Sequence, residues 1–257
     1  MHLKRILIYT GPGTEKTNIL HRSLAHVLDT INPHHKFHVD LIEEASSISP
    51  ALKRGDTELF ILPGGRDLPY VDHIKTDIIR NIKDYIHTGG SYLGICAGAY
   101  FSCQECIFDK NGPLEVVGPR EMALFSAAGV GPVYPGFKYN STKGSIMAPL
   151  EFHSKSNNLA SCFAYFNGGG AFQANIEDTD PNYEIISSYK DLKNKAAIVY
   201  GSKGLGKVLL SFVHPEMSYK FLDKDNYTEL QWNDMVAKDD GQFQLWKWII
   251  NKLVSFD

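Results

Sequence analysis

The stretch Gly89 to Phe101 narrows the folds open to this chain more than any other. Ser91, Tyr92, Leu93 and Ile95 read as a short buried strand, Ala97 to Phe101 as the start of a helix, and Cys96 stands between them. Where a strand turns at once into a helix there is no room for side chains at the crossing, and Gly94 and Gly98 supply that room. A residue at such an elbow is pinned by the strand behind it and the helix ahead. A cysteine there also meets the positive end of the helix dipole and free backbone N–H groups, which favour thiolate over thiol. Cys96 is therefore a candidate nucleophile, although a small buried thiol in a Gly/Ala-rich strand end also fits simple packing.

The residues before the elbow extend the pattern. Arg5 to Tyr9 form an apolar strand that ends at Gly11-Pro12-Gly13, and Leu20, Leu24, Val27, Leu28 and Ile31 recur at helical spacing up to Asn32-Pro33. Phe37 to Ile42 and Glu58 to Leu62 read as further strands, the latter running into Pro63-Gly64-Gly65. Ile74, Ile78, Ile82, Tyr85 and Ile86 make the apolar stripe of a helix that Gly89-Gly90 ends. The order β-α-β-β-α-β before the elbow's helix implies a doubly wound, mostly parallel sheet with helices on both faces. Gly11-Pro12-Gly13 lacks the full phosphate-loop signatures and is expected to line the crevice at the strand ends.

Between Gly112 and Gly170 the helical period fades and short strands are expected: Leu114 to Val117, Gly144 to Met147 and Cys162 to Phe166, with a turn from Gly129 to Gly136. Ala196 to Tyr200 and Lys207 to Val213 read as a hairpin around Gly201 to Gly206, so the second half adds antiparallel strands. Trp246, Ile249, Ile250 and Leu253 predict a last helix packed on the sheet, and the polar run Glu229 to Asp240 a surface helix or lid. His153 has no partnered acid nearby in sequence and is read as a surface or packing residue.

Composition excludes several classes. A chain of 257 residues without a low-complexity linker is expected to form one α/β domain across residues 1–257. With 26 basic and 29 acidic residues and a formal charge of −3, nothing favours nucleic acid or anionic lipid as a partner. No apolar run approaches the ~20 residues of a membrane span, and Met1 to Ile6 lead into a strand, so a cytoplasmic location is expected. The four cysteines are read as reduced thiols. Cys103 and Cys106 have C-x-x-C spacing but no second pair at zinc-like spacing, so neither a metal nor a cofactor is expected.

Downstream, His214-Pro215-Glu216 ends the last predicted strand. Pro215 disfavours helix at His214, and residues two apart in an extended segment project to the same side, so Glu216 is expected to accept from one ring nitrogen while the other faces Cys96. Cys96, His214 and Glu216 then have the types required of nucleophile, base and orienter.

Gly94 to Gly98, Pro63-Gly64-Gly65 and His214-Pro215-Glu216 together resemble the class I glutamine amidotransferase-like superfamily. The blocks Pro63 to Tyr70, Gly94 to Tyr100 and Phe166 to Gly170 more closely resemble the domain at the N-terminus of biotin-protein ligases, and the resemblance spans nearly the whole chain. It implies a flavodoxin-like α/β fold and acyl transfer through a thioester formed from a small-molecule amide. It also implies an oxyanion hole from Gly64, Gly65 and Ala97, and a substrate site near Arg66, Tyr100, Tyr165, Asn167, Gly168 and Gly169. Tyr100 stands where the superfamily usually has glutamine, so the resemblance supports the nucleophile more than glutamine as the substrate. The Gly-Arg-rich loop of the ligase module is not found, and biotin ligation and ATP use are not expected. An alternative is a non-catalytic binding or regulatory module, for which a protein partner is left open.

Overall fold

Side chains on a β-strand alternate between two faces, and along the central strands of this protein both faces are apolar because both are covered. The computed structural model describes residues 4–34, 36–153, 160–173, 181–193 and 195–256. Met1 to Leu3, expected to lead into the first strand, lie outside the described residues. The first strands and helices are β1 (Lys4–Tyr9), α1 (Thr17–Ile31), β2 (Phe37–Ile42), α2 (Ile48–Leu52) and β3 (Thr57–Leu62). They are followed by α3 (Asp67–His73), α4 (Thr76–His87), β4 (Ser91–Ile95) and α5 (Ala97–Ser102). The second half supplies β5 (Cys103–Phe108), β6 (Val116–Pro119), β7 (Phe125–Gly131), β8 (Ile146–Phe152) and β9 (Ser161–Phe166). The chain continues with β10 (Ala171–Phe172), β11 (Tyr183–Tyr189), β12 (Ala196–Lys203), β13 (Gly206–Ser211) and α6 (Glu229–Leu253).

Among the described residues the sheet runs β2-β1-β3-β4-β13-β12-β10-β7-β5-β6, with β11 joining β12 to β8 and β8 pairing β9. The pairs from β2 through β13 are parallel; from β13–β12 onward the pairs are antiparallel except β7–β5, which is parallel. Ile6, Ile8, Leu59, Ile61, Leu93 and Ile95 point to one side, where Leu20, Leu24 and Leu28 of α1 and Trp246, Ile249 and Ile250 of α6 cover them. Leu7, Tyr9, Phe60, Leu62 and Tyr92 point to the other, under Ile78, Ile79, Ile82 and Ile86 of α4. The sheet is mixed: its core is the doubly wound parallel sheet that the alternation of elements implies, and the second half adds so many antiparallel strands that the sheet as a whole is not mostly parallel.

The structure corrects several local expectations. A short helix, α2, separates β2 from β3, and α3 precedes α4, so the opening half is not a plain β-α-β-β-α-β. Ile74 lies at the carboxyl cap of α3 rather than in the striped helix. Gly129 to Gly131 belong to β7, and the strand expected at Leu114 begins at Val116, because both runs gain ladder partners on β5. The strand expected from Gly144 begins at Ile146. Residues 229–253 form one continuous helix whose start is fixed by a capping box between Thr228 and Gln231.

Candidate active site

Cys96 is the hinge between β4 and α5, with φ 49° and ψ −102°, a conformation that non-glycine residues rarely hold. Its N–H donates to Ser211 O at 2.7 Å and its carbonyl accepts from Tyr100 N at 2.9 Å, so neighbours on both sides hold the strained turn. An added Cβ at Gly94 would stand 2.8 Å from Gly98 O, and one at Gly98 would collide with the carbonyl of Leu62. The glycines on either side of the cysteine are therefore what allow strand, helix and the Pro63-Gly64-Gly65 loop to cross this closely.

That loop leaves β3 and is stitched to the turn after β1, since Arg66 N donates to Gly13 O at 2.7 Å and Glu15 N to Gly64 O at 3.0 Å. Among the described residues, the N–H groups of Gly64, Gly65 and Ala97 donate to no backbone carbonyl. Gly64 packs against both Cys96 and His214, whose side chains are in hydrogen-bonding contact: a Cβ on Gly64 would stand 2.5 Å from His214 Cε1 and 3.5 Å from Cys96 Cβ.

His214 is held by its own N–H, which donates to Tyr165 O at 2.8 Å, and its ring lies edge-on to Tyr165 with centroids 6.0 Å apart. Nδ1 of His214 is 2.8 Å from Oε1 of Glu216, and both residues are buried. The contact arises differently from the sequence expectation. β13 ends at Ser211, and His214 to Met217 form a turn in which Met217 N donates to His214 O, so a turn rather than strand alternation brings the carboxylate back to the ring. Burial acts to lower the pKa of His214, but the facing charges of Glu216 and Cys96 outweigh it and raise it to about 10. Glu216 Oε2 is buried without a partner.

Two small hollows meet at Cys96. One is bordered by Lys16, Gly64, Gly65, Tyr165, Asn167 and His214, the other by Arg66, Asp67, Ala97, Tyr100, Cys106 and Gly168. They hold about 40 and 30 Å³, room for two or three waters each. A loop missed by sequence reasoning closes both, since Phe137 and Tyr139 form part of each wall. Its neck is Gly136 against Gly144, with φ of 92° and 83°. Arg66 clasps it, donating to Asn140 Oδ1 at 2.9 Å with its guanidinium 4.6 Å from the centre of the Tyr139 ring. Asn167 Nδ2 donates to Ser141 O at 3.0 Å. The paired glycines at 136 and 144 were the only local sign of this cover.

Of the expected substrate residues, Gly168 packs its φ 80° backbone against Phe137 at the hollow's edge. Tyr100 lies beside that hollow with its hydroxyl unpartnered, wedged where a Cβ at Gly131 or Gly170 would strike it. Tyr165 is a buried wall residue whose hydroxyl pairs with Tyr227 at 3.3 Å. Gly169 is a correction: it is pressed against the backbone of Phe212 and borders neither hollow, because the chain turns inward toward β10. His153 lies on the surface, bonded to Ser188, as expected. Cys103 and Cys106 are free thiols of β5, and no group of metal-binding side chains is found among the described residues. No helix among the described residues is long and apolar enough to cross a membrane.

A family profile described as biotin-protein ligase, N terminal, matches residues 4–254. A biotin–protein ligase of Schizosaccharomyces pombe is 33% identical over 240 residues, a match covering 91% of this chain and 37% of that protein. The chain thus spans little more than a third of that relative's length. An uncharacterized protein of Chlamydia muridarum is 31% identical over 259 residues, covering 99% of this chain and 97% of its own. Among solved structures, PurLQS from Thermotoga maritima aligns with a TM-score of 0.56 at 18% identity, over 98% of this chain and 100% of that one, a likeness of fold alone.

Proposed function

This chain belongs to the biotin-protein ligase N-terminal family and has the class I glutamine amidotransferase-like fold, and on that premise we propose that it is a cysteine-dependent hydrolase of a small amide. The observation that carries the reading is Cys96 at a positive-φ strand–helix junction, its side chain in hydrogen-bonding contact with a His214 ring that is bonded to Glu216, with the side-chain-free Gly64 packed against both. In this reading the Cys96 sulfur attacks the amide carbon, forming a C–S bond as the carbonyl π electrons move to oxygen. The N–H groups of Gly64, Gly65 and Ala97 are the donors available to that oxyanion. Collapse breaks the C–N bond, and His214, protonated at neutral pH, gives its proton to the departing amine. The neutral ring then takes a proton from the attacking water as the hydroxyl adds to the thioester carbon; the C–S bond breaks, the sulfur leaves as the anion facing the re-protonated ring, and the carboxylic acid product gives its proton to solvent. Glu216 keeps the ring oriented and balances its charge throughout.

Labelling with iodoacetamide, read cysteine by cysteine in the mass spectrometer, tests this directly. Burial pushes the thiols of Cys103 and Cys106 up strongly and that of Cys162 to about 12, so these should label slowly. Cys96 should label fastest, the rate should fall in His214→Gln, and amine release from a panel of small amides should vanish in Cys96→Ala. Uniform slow labelling would remove the nucleophile.

A second reading, a non-catalytic module, draws support from the loop over Cys96 and from the relative in which the matched region is part of a longer ligase. It requires that Cys96→Ala retain ligand or partner binding and the cellular effect.

A further inference from the structure

We propose that Lys16 selects the substrate by holding a carboxylate on the same small molecule whose amide carbonyl reaches Cys96. The inference rests on the hydrolase reading and adds the charge class of its substrate. Lys16 caps the start of α1 with φ 54° and ψ 31°, a left-handed conformation that a lysine adopts at a cost. The strained turn directs the residue into the wall of the Cys96 hollow and, on its other side, into a wider groove running past Asn18, Thr142 and Tyr227. Its ammonium stands 5.7 Å from the centre of the Tyr165 ring and 5.9 Å from that of Tyr227. The rings steady the charge but accept no strong hydrogen bond, and among the described residues no carboxylate pairs with it. The adjacent Glu15 is turned to Arg66 at 3.7 Å.

Two further features orient a ligand. Asn167 Oδ1 is buried without a partner in the wall shared by the hollow and the groove, an acceptor suited to an amide N–H. Asp223 and Asp225 line the groove away from the hollow, with Asp223 Oδ1 already accepting from Asp225 N at 3.1 Å. An anion is therefore drawn to Lys16 and repelled from the acidic side. A substrate with a carboxylate and an amide is accommodated in one direction.

Iodoacetate and iodoacetamide differ in the charge at issue and react at the same thiol. The ratio of their rates at Cys96 should fall about tenfold from wild type to Lys16→Met, should be largely restored in Lys16→Arg, and in wild type should fall as salt is added. His214 is present in every variant, so its charge does not produce the difference. Methionine keeps the stem and the ring contacts and carries a similar left-handed backbone cost, and a urea midpoint close to wild type checks the fold. A ratio unchanged in Lys16→Met overturns the anchor and leaves the nucleophile intact. A Cys96 inert to both reagents overturns the anchor together with the hydrolase reading.

Discussion

Burial by itself would strip a proton from His214, since an imidazolium loses its hydration inside a protein. The ring holds it because the carboxylate of Glu216 lies 2.8 Å away and Cys96 adds further negative charge, lifting the pKa from the ordinary 6.5 to about 10. The folded state thus binds a proton between these two values that the unfolded chain has released. That contribution to stability is complete below about pH 6.5 and is lost as pH rises through about 10. The urea midpoint of wild type relative to His214→Gln should therefore shrink steadily over this window. A difference that is flat or grows with pH would mean the ring is neutral in the fold. The elbow at Cys96, the bare turn at Gly64 and the pairing of His214 with Glu216 were legible in sequence, because each depends on a backbone conformation that only a few residue types allow. The unmet donors of Lys16 were not, since nothing local says which acids lie beyond reach.

Among the elements, the loop from Gly136 to Gly144 has most influence on the site, because it closes both hollows at Cys96. Its attachments near Cys96 are a bond from Arg66 to Asn140, a guanidinium over Tyr139 and a bond from Asn167, while Phe137 and Tyr139 pack on Phe108 and Thr142 is bonded to Asn226 and Gln231. Removing the Arg66 clasp by Arg66→Ala should cost the closed form ~1 kcal/mol. Iodoacetamide labelling of Cys96 should then speed up about fivefold, while Cys103, buried under α5 and β7, should not change. An unchanged Cys96 rate would show that the loop does not govern access. In sequence this segment looked like a featureless stretch of Gly, Pro, Phe and Tyr. Its aromatic residues carry no period because they pack on Gly168 and Phe108 rather than on one face of a helix or strand.

Across the whole molecule, stability comes from covering both faces of the sheet, and α6 ties that cover together. Trp246 is 1% exposed, packs among the strand residues on the α1 side and donates Nε1–H to Ser23 O at 3.4 Å. Trp246→Ala should destabilise the fold by about 3–5 kcal/mol, the range for large aromatic deletions from a core, read as a lower urea midpoint. A loss below about 1 kcal/mol would mean the helix repacks without it.

The alternation of apolar residues, the glycines beside Cys96 and the proline after His214 act over a few residues, and they determined strands, elbow and doubly wound class before any coordinate was known. Only the tertiary structure decided that β4 and the end of β13 lie side by side, bringing sulfur and imidazole into contact beside Gly64, and that a distant loop and Lys16 complete the walls. Local chemistry limits the conformation of each segment; which segments touch depends on how the two apolar faces of the sheet are buried at once, a property of the chain as a whole.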